Sequence, residues 1–501
     1  MRKKLLSNLF LITLILLGAA ACGERTKTDE ELQKEQLERT RSSVNYFAAK
    51  CMSVYYLWID EIKDQVNQWL SRQLTTDPVE KVLDLRYKQD GKDYDRWTEV
   101  LEDFDTFESS VKGVSTTYGC DITLMRWDDT YICAVVTVVY ADSPAAAAGL
   151  QRGDAIVQID GKLMTNDIFY QLVTSGFLYS KNCRITLLDR DTGGLGRSLS
   201  MTAVTMYEDP VVYHSVFDVG GKKVGYLVFT SFTLRAIDTL LGVFEQFRAD
   251  GVTELILDLR YNGGGYLTTE MALASMLAPL ANVQNGDVYE QEVYNDLLTN
   301  YYWKKEGADA LKQRFKTSFT WTEGSFETTT DTRSGHLDLS HLYAIIDSGT
   351  ASASESLLVG LSSYLPVTLI GEKTHGKFCT GIMYGAEEWY DDNKDQLSHD
   401  WYSRKKDAAG WGLYVMISRY ADCNGNCAAM PDGLTPDYTV RDEPYYVFGD
   451  EQDPMLRQAL ILSGRTDLQA APKTRAQAGL FLEKVPCQIV KPSFGKRILN
   501  R

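Results

Sequence analysis

Three short stretches carry residue types that together can break an acyl bond. They are Ile345-Ile346-Asp347-Ser348-Gly349-Thr350-Ala351-Ser352-Ala353-Ser354-Glu355, Gly371-Glu372-Lys373-Thr374-His375-Gly376-Lys377 and Asp258-Leu259-Arg260-Tyr261-Asn262-Gly263-Gly264-Gly265. A serine hydroxyl becomes a nucleophile when a neighbouring base takes its proton, and an uncharged lysine amine is such a base. Glycines let backbone N–H groups come close to a developing oxyanion. Ser352 is therefore the expected nucleophile and Lys377 the expected base. A free lysine titrates near ~10.4, so action near pH 7 needs a depression of roughly 3 units, about 4 kcal/mol. Burial among apolar groups can supply it, and Phe378, Ile382 and Met383 follow directly.

Other readings of these residues compete. Ser352-Ala353-Ser354-Glu355 has the S-x-x-E form of a capping box, contributing about 1 kcal/mol and no chemistry. His375 is a rival base, for Ser352 or for Cys379, and Ser354 is the rival nucleophile. A phosphate cradle at the glycines finds no G-x-x-x-x-G-K-[ST] and no G-x-G-x-x-G there. No H-E-x-x-H occurs and the five histidines are scattered, so neither a metal nor a nucleotide cofactor is expected.

Placing these residues falls to strands and helices. Leu342 to Ile346 reads as a buried strand, Asp347-Ser348-Gly349 as a turn, and Ser354 to Leu365 as a helix through Leu357, Leu358, Leu361 and Leu365. Ser352 then sits at a strand-to-helix turn, where the helix dipole favours negative charge. Pro366 to Ile370 is a further strand. Upstream, strand Val224–Phe229, helix Leu234–Phe247, strand Leu255–Leu259 and helix Thr268–Met276 alternate. Such alternation implies parallel crossovers with ligands at the carboxyl ends of the strands, where Gly263–Gly265 and Ser352 both fall.

The 501 residues, 44% apolar, suffice for two or three domains, and a net charge of −16 argues against nucleic acid as partner. Met1-Arg2-Lys3-Lys4, an apolar stretch from Leu5 to Leu17, and Gly18-Ala19-Ala20-Ala21 read as an export signal over residues 1–21. Its small residues end on Cys22, as in the lipobox of bacterial lipoproteins. The resemblance implies lipidation of Cys22 and anchorage in a bacterial cell envelope, on a periplasmic or surface leaflet, with residues 22–41 as a charged linker. Export permits disulfides, and Cys423-Asn424-Gly425-Asn426-Cys427 can close a small loop. Residues 42–112 read as a helical N-terminal domain.

Residues 113–205 change to short β runs. Ser143-Pro144-Ala145-Ala146-Ala147-Ala148-Gly149-Leu150-Gln151-Arg152-Gly153-Asp154-Ala155-Ile156-Val157-Gln158-Ile159-Asp160-Gly161 resembles a PDZ domain, a small β-sandwich or barrel that adds a peptide to a sheet edge and holds its terminal carboxylate. By that resemblance the carboxylate nest is Tyr118, Gly119, Cys120, Asp121 and Ile122, with Asp121 an acidic departure.

Together with Gly225–Phe232, Asp258–Gly265, Ser352–Glu355, Gly371–Lys377 and Gly433-Leu434-Thr435-Pro436-Asp437, the chain resembles the C-terminal processing, or tail-specific, serine protease family. The resemblance implies a multidomain α/β protein whose crotonase-like catalytic domain spans 206–440, followed by a C-terminal extension over 441–501. It implies a Ser352/Lys377 dyad, 25 positions apart, with oxyanion-hole N–H groups from Gly264 and Ala353. The partners would be exported polypeptides, recognised through extended or C-terminal segments. Gly381 stands where the family commonly has a glutamine orienting the lysine, leaving Thr380 or another group to hold the base; His375 replaces an aromatic and Gly263 a proline. The alternative is a catalytically degenerate PDZ adaptor of the cell envelope. Residues 280–335 and 383–425 are insertions rich in Tyr and Trp, read as lids or added strands, and the stretch after a helix at Pro454–Leu462 reads as irregular.

Overall fold

A computed structural model describes residues 27–72, 74–428, 430–468, 484–485 and 496–499. The expected signal segment and Cys22 lie outside them. Helix α1 runs Asp29–Tyr55. Thr28 Oγ1 accepts the Glu31 N–H at 3.2 Å and the Glu31 carboxylate accepts the Thr28 N–H at 2.9 Å, a reciprocal cap that fixes the start. Residues 29–41 are therefore helical, which corrects the linker expected over 22–41: the T-x-x-E pattern was present but hidden among charges. Helices α2 (Ile59–Arg72) and α3 (Pro78–Leu85) follow, then strand β1 (Glu99–Leu101) and helix α4 (Phe104–Val111). Val44, Phe47, Ala48 and Met52 pack in the same core as Leu227, Leu255 and Leu357. The 42–112 region, expected as a helical N-terminal domain, thus shares the core of the α/β region that follows.

Strand β2 (Val114–Thr117) leads into the small β module, whose main strands are β3 (Cys120–Arg126), β4 (Ile132–Val139), β5 (Ala155–Ile159), β6 (Asn182–Leu188) and β7 (Leu195–Thr202), in the order β7-β6-β5-β4-β3. Strand β8 (Val204–Tyr207) leaves it antiparallel to β2, so one two-stranded ribbon carries the chain in and out. The module has its own core around Leu124, Val136, Ile156, Phe177 and Ile185.

The catalytic region begins with β9 (Val211–Val219) and β10 (Lys222–Phe229), then α5 (Ala236–Ala249), β11 (Val252–Asp258), β12 (Gly264–Tyr266) and α6 (Leu267–Leu277). It continues through β13 (Val288–Tyr294), β14 (His341–Ile346), α7 (Ala353–Leu361), β15 (Val367–Gly371), β16 (Cys379–Gly385), β17 (Gly412–Asp422), β18 (Tyr438–Thr439) and α8 (Pro454–Leu462). One sheet has the order β9-β10-β11-β14-β15-β18, parallel from β10 onward. Alternate residues of its strands face two different cores: Leu255, Leu257 and Ala344 point to α5–α7, while Ile256, Tyr343 and Ile345 meet Met455, Leu456 and Leu460 of α8. The extension after residue 440 therefore covers one face of the catalytic sheet.

A second sheet contains β12, β16, β17 and β13, with β1 beside β17. The two aromatic insertions supply β13 and β17, which resolves the choice between lids and strands for those segments. Strand β19 (Lys496–Ile498) lies between β12 and β16, where an irregular tail was expected. Unpaired strand edges are templates for any extended segment within reach. Cys423 and Cys427 are not joined to each other and stand as thiols. The Cys423–Cys427 loop is closed instead by the Asp422 carboxylate, which accepts the N–H groups of Asn424 and Asn426.

Candidate active site

The turn between β14 and α7 places Ser352 in a left-handed backbone conformation, φ 64° and ψ −114°. A side chain rarely adopts this without surrounding support, and such strain gathers at functional turns. Ser352 and Lys377 are both completely buried, the setting required of a neutral base. Lys377 Nζ lies 3.2 Å from Ser352 Oγ.

Glu355 ties these residues together. Its Oε2 accepts the N–H of Ser352 at 2.9 Å and that of Lys377 at 2.9 Å, while Oε1 accepts the Gly376 N–H at 2.7 Å and the Thr374 hydroxyl at 2.5 Å. The capping box is therefore formed, and the same carboxylate also fixes the loop bearing Lys377. Burial raises the Glu355 pKa, partly offset by the Thr374 hydroxyl and the three N–H donors. The Tyr420 hydroxyl lies 3.1 Å from the carbonyl of Ser352 and 2.9 Å from that of Lys377, a second clamp across the pair.

Thr380 does not take the missing glutamine's place: its hydroxyl donates to Glu292 at 3.3 Å. Tyr414 does, with its hydroxyl 2.9 Å from Lys377 Nζ. A Cβ at Gly381 would lie 2.6 Å from both the Tyr414 ring and Met416, so the glycine makes room for the tyrosine. Tyr414 was not legible beforehand, because it reaches the site through the antiparallel register of β16 and β17. Tyr414→Phe should lower kcat by about ten- to a hundredfold while costing about 1 kcal/mol of stability, measured by steady-state turnover and urea unfolding.

The glycine loop converges on the serine as expected. A Cβ on Gly264, φ 101°, would lie 2.9 Å from Ser352 Cβ. Its N–H, however, donates to Asn262 Oδ1 at 2.9 Å, a partner the glycine pattern gave no reason to expect. Ala353 is buried at the first turn of α7. Ser354, the rival nucleophile, donates its hydroxyl to the Asn262 carbonyl at 3.1 Å.

A model described as peptidase family S41 matches residues 223–440, and a PDZ domain model matches residues 135–169. The chain carries a peptidase family S41 domain. It is 25% identical over 415 residues to a carboxyl-terminal-processing protease of Picosynechococcus, covering 81% of this chain and 85% of that one. It is 28% identical to a protein of the same name from Synechocystis, covering 63% and 60% of the two chains. The fold matches that of an S41 protease structure from Bacteroides fragilis with a TM-score of 0.62 at 24% identity, over 84% of this chain and 97% of that one.

At this site the competing residues fall away on their surroundings. Burial pushes the Cys379 thiol up to about 12, and its sulfur rests 3.3 Å from Met416 Sδ, so it is a packing residue. His375 stands edge-on to Trp97; burial, then Arg96 and Lys377, hold its imidazole down at about 4. The unfolded chain protonates this histidine near 6.5 and the folded chain near 4, so the unfolded state binds the extra proton between them. Stability contributed here is present above pH 6.5 and lost as the pH falls toward 4. His375→Gln should flatten that slope, sparing about 2 kcal/mol at most at pH 5, read by urea unfolding at pH 7 and 5.

The residues expected to form the carboxylate nest lie together at the start of β3. Tyr118 donates its hydroxyl to the Ser180 carbonyl at 2.6 Å, and the Tyr140 hydroxyl donates to Asp121 at 2.8 Å. The Gly119 N–H is engaged with Thr117 Oγ1 at 2.9 Å. Further along β3 the sheet edge takes up part of this same chain: the Val485 N–H donates to the Leu124 carbonyl at 2.9 Å, and Lys484 pairs antiparallel with Met125. Sequence reasoning also missed the contact between module and catalytic loop. Arg152, within the PDZ signature, donates to the Thr137 and Tyr446 carbonyls and to the Tyr261 hydroxyl. Tyr261 in turn donates to Asp442 at 2.6 Å. Buried Arg260 is held by Asp258, Asp442 and Asp453. The D-L-R motif thus anchors the base of the glycine loop through carboxylates that lie far away in sequence.

Proposed function

We propose that this S41 peptidase hydrolyses polypeptides near their C-termini by acyl transfer on Ser352, with Lys377 as general base. The carrying observation is the 3.2 Å separation of Ser352 Oγ and Lys377 Nζ, both buried and tied through one carboxylate. Ser352 Oγ adds to the substrate carbonyl carbon as its proton passes to Lys377. Negative charge develops on the carbonyl oxygen beside the Ala353 N–H and the Gly264 N–H, the latter once Asn262 releases it. Collapse breaks the peptide C–N bond, and Lys377 returns the proton to the leaving amine. Water then adds to the ester under the same base, and the acid product and free serine separate. The PDZ module presents extended or C-terminal segments along β3. Anchorage of the mature chain at Cys22 in a bacterial envelope belongs to the same reading, supported by the basic, apolar and small-residue order of residues 1–22.

The test is to mix the full chain with an unstructured polypeptide, quench in acid and map covalent adducts by mass spectrometry. A peptide ester on Ser352 is the expected result. Turnover with no adduct on any serine, and persisting in Ser352→Ala, overturns the proposal. Binding of free C-termini without turnover supports the adaptor reading instead.

A further inference from the structure

Strand β19 is short, yet it lies between the glycine-bearing strand β12 and strand β16. It pairs with β12 in the register Gly264–Lys496, Gly265–Arg497 and Tyr266–Ile498, and with β16 at Gly381. The Leu499 N–H donates to the Gly381 carbonyl at 3.1 Å. The point a Gly264 side chain would occupy lies 2.7 Å from the Lys496 carbonyl oxygen and 2.9 Å from Ser352 Cβ. The carbonyl of Lys496 and the carbon bearing the nucleophile therefore flank one point. Main-chain pairing along a strand edge, with alternate side chains entering pockets, is a general way of seating a peptide.

The Lys496 side chain enters such a pocket and is 5% exposed. Its ammonium pairs with the Glu99 carboxylate from β1. It stands 4.3 Å from the centre of the Tyr414 ring and 5.5 Å from that of Phe107 on α4. Arg86 and Asp95 are the other charged groups that bear on it. One acid and two ring faces attract a cation by charge and by the ring quadrupole, and they repel a carboxylate.

The geometry points to Glu99, with the Phe107 and Tyr414 rings, as the specificity subsite for a basic residue whose carbonyl is presented to Ser352. The preferred substrates are then extended polypeptides with lysine at the residue before the cut. This deepens the proposed function and rests on its acyl transfer at Ser352. It also gives the N-terminal helical region, through β1 and α4, a part in substrate selection.

The experiment uses the full chain carrying Lys496→Glu, which removes the chain's own lysine from the pocket, beside the unaltered full chain. The probes are two synthetic peptides of residues 490–501, one with lysine at position 496 and one with Lys496→Glu, followed by mass spectrometry for turnover. Their binding is measured by fluorescence anisotropy in a Ser352→Ala background. The lysine peptide should be cut between positions 496 and 497 and bound about tenfold or more tighter, with Glu99→Gln removing both preferences. Equal cutting and equal binding of the two peptides overturns the subsite while leaving Ser352 chemistry intact. A lysine preference in binding that depends on Glu99, without turnover of either peptide, supports the subsite and sinks the acyl-transfer reading. Binding of neither peptide to either chain overturns the subsite.

Discussion

Ser352→Ala should lower turnover of an unstructured polypeptide by about four orders of magnitude or more, and Lys377→Met should do nearly the same. On the proposed mechanism each removes half of one proton transfer, so the double variant should be scarcely worse than either single one. Without the serine there is no ester intermediate; without the amine, the Ser352 hydroxyl has lost the base 3.2 Å away that would take its proton. Both side chains are buried, so bulk water is poorly placed to replace the base. The measurement is steady-state digestion with urea unfolding alongside, because Ser352→Ala changes little volume and should leave stability within about 1 kcal/mol. Additive losses in the double variant would mean that the two residues do not act in one step.

Glu355→Leu should be the most destabilising change in the site, costing about 4 kcal/mol or more and lowering turnover at least about a hundredfold. The carboxylate accepts three backbone N–H groups and one hydroxyl. Leucine would orphan all three N–H donors in a dry interior, each at about 1–3 kcal/mol. Glu355→Gln should be milder: Thr374 can rotate to accept from the amide, leaving the Gly376 N–H as the orphan. Since Oε2 bridges Ser352 and Lys377, the glutamine variant should retain measurable turnover and the leucine variant almost none. Denaturant unfolding and kcat, measured on both, decide it. Equal stability of the two variants would show that the bridge does not hold the site together.

The strand–turn–helix around Ser352 was legible because its apolar periodicity agrees with its turn residues: strand β14 ends at Ile346 and helix α7 begins at Ala353. The pairing of Ser352 with Lys377 rested on motif resemblance, since spacing alone does not say which loops meet. Tyr414, Asn262 and Asp442 were not legible as site residues, because their roles come from strand register and from contacts across long stretches of chain. The short strand at Lys496–Ile498 was missed for another reason. Lys496-Arg497-Ile498 has no alternation to speak of, and its strand character comes from the two edges beside it.

That strand also changes what an incoming polypeptide must do. A segment tied to its own protein, touching β3 at Val485 and the cleft at Lys496, is present at a local concentration on the order of millimolar. On the proposed function a free chain end competes with a resident rival, and it prevails by gripping at more than one place. Selection then lies in the exchange itself, so brief, single-point visitors are turned away before the serine is reached.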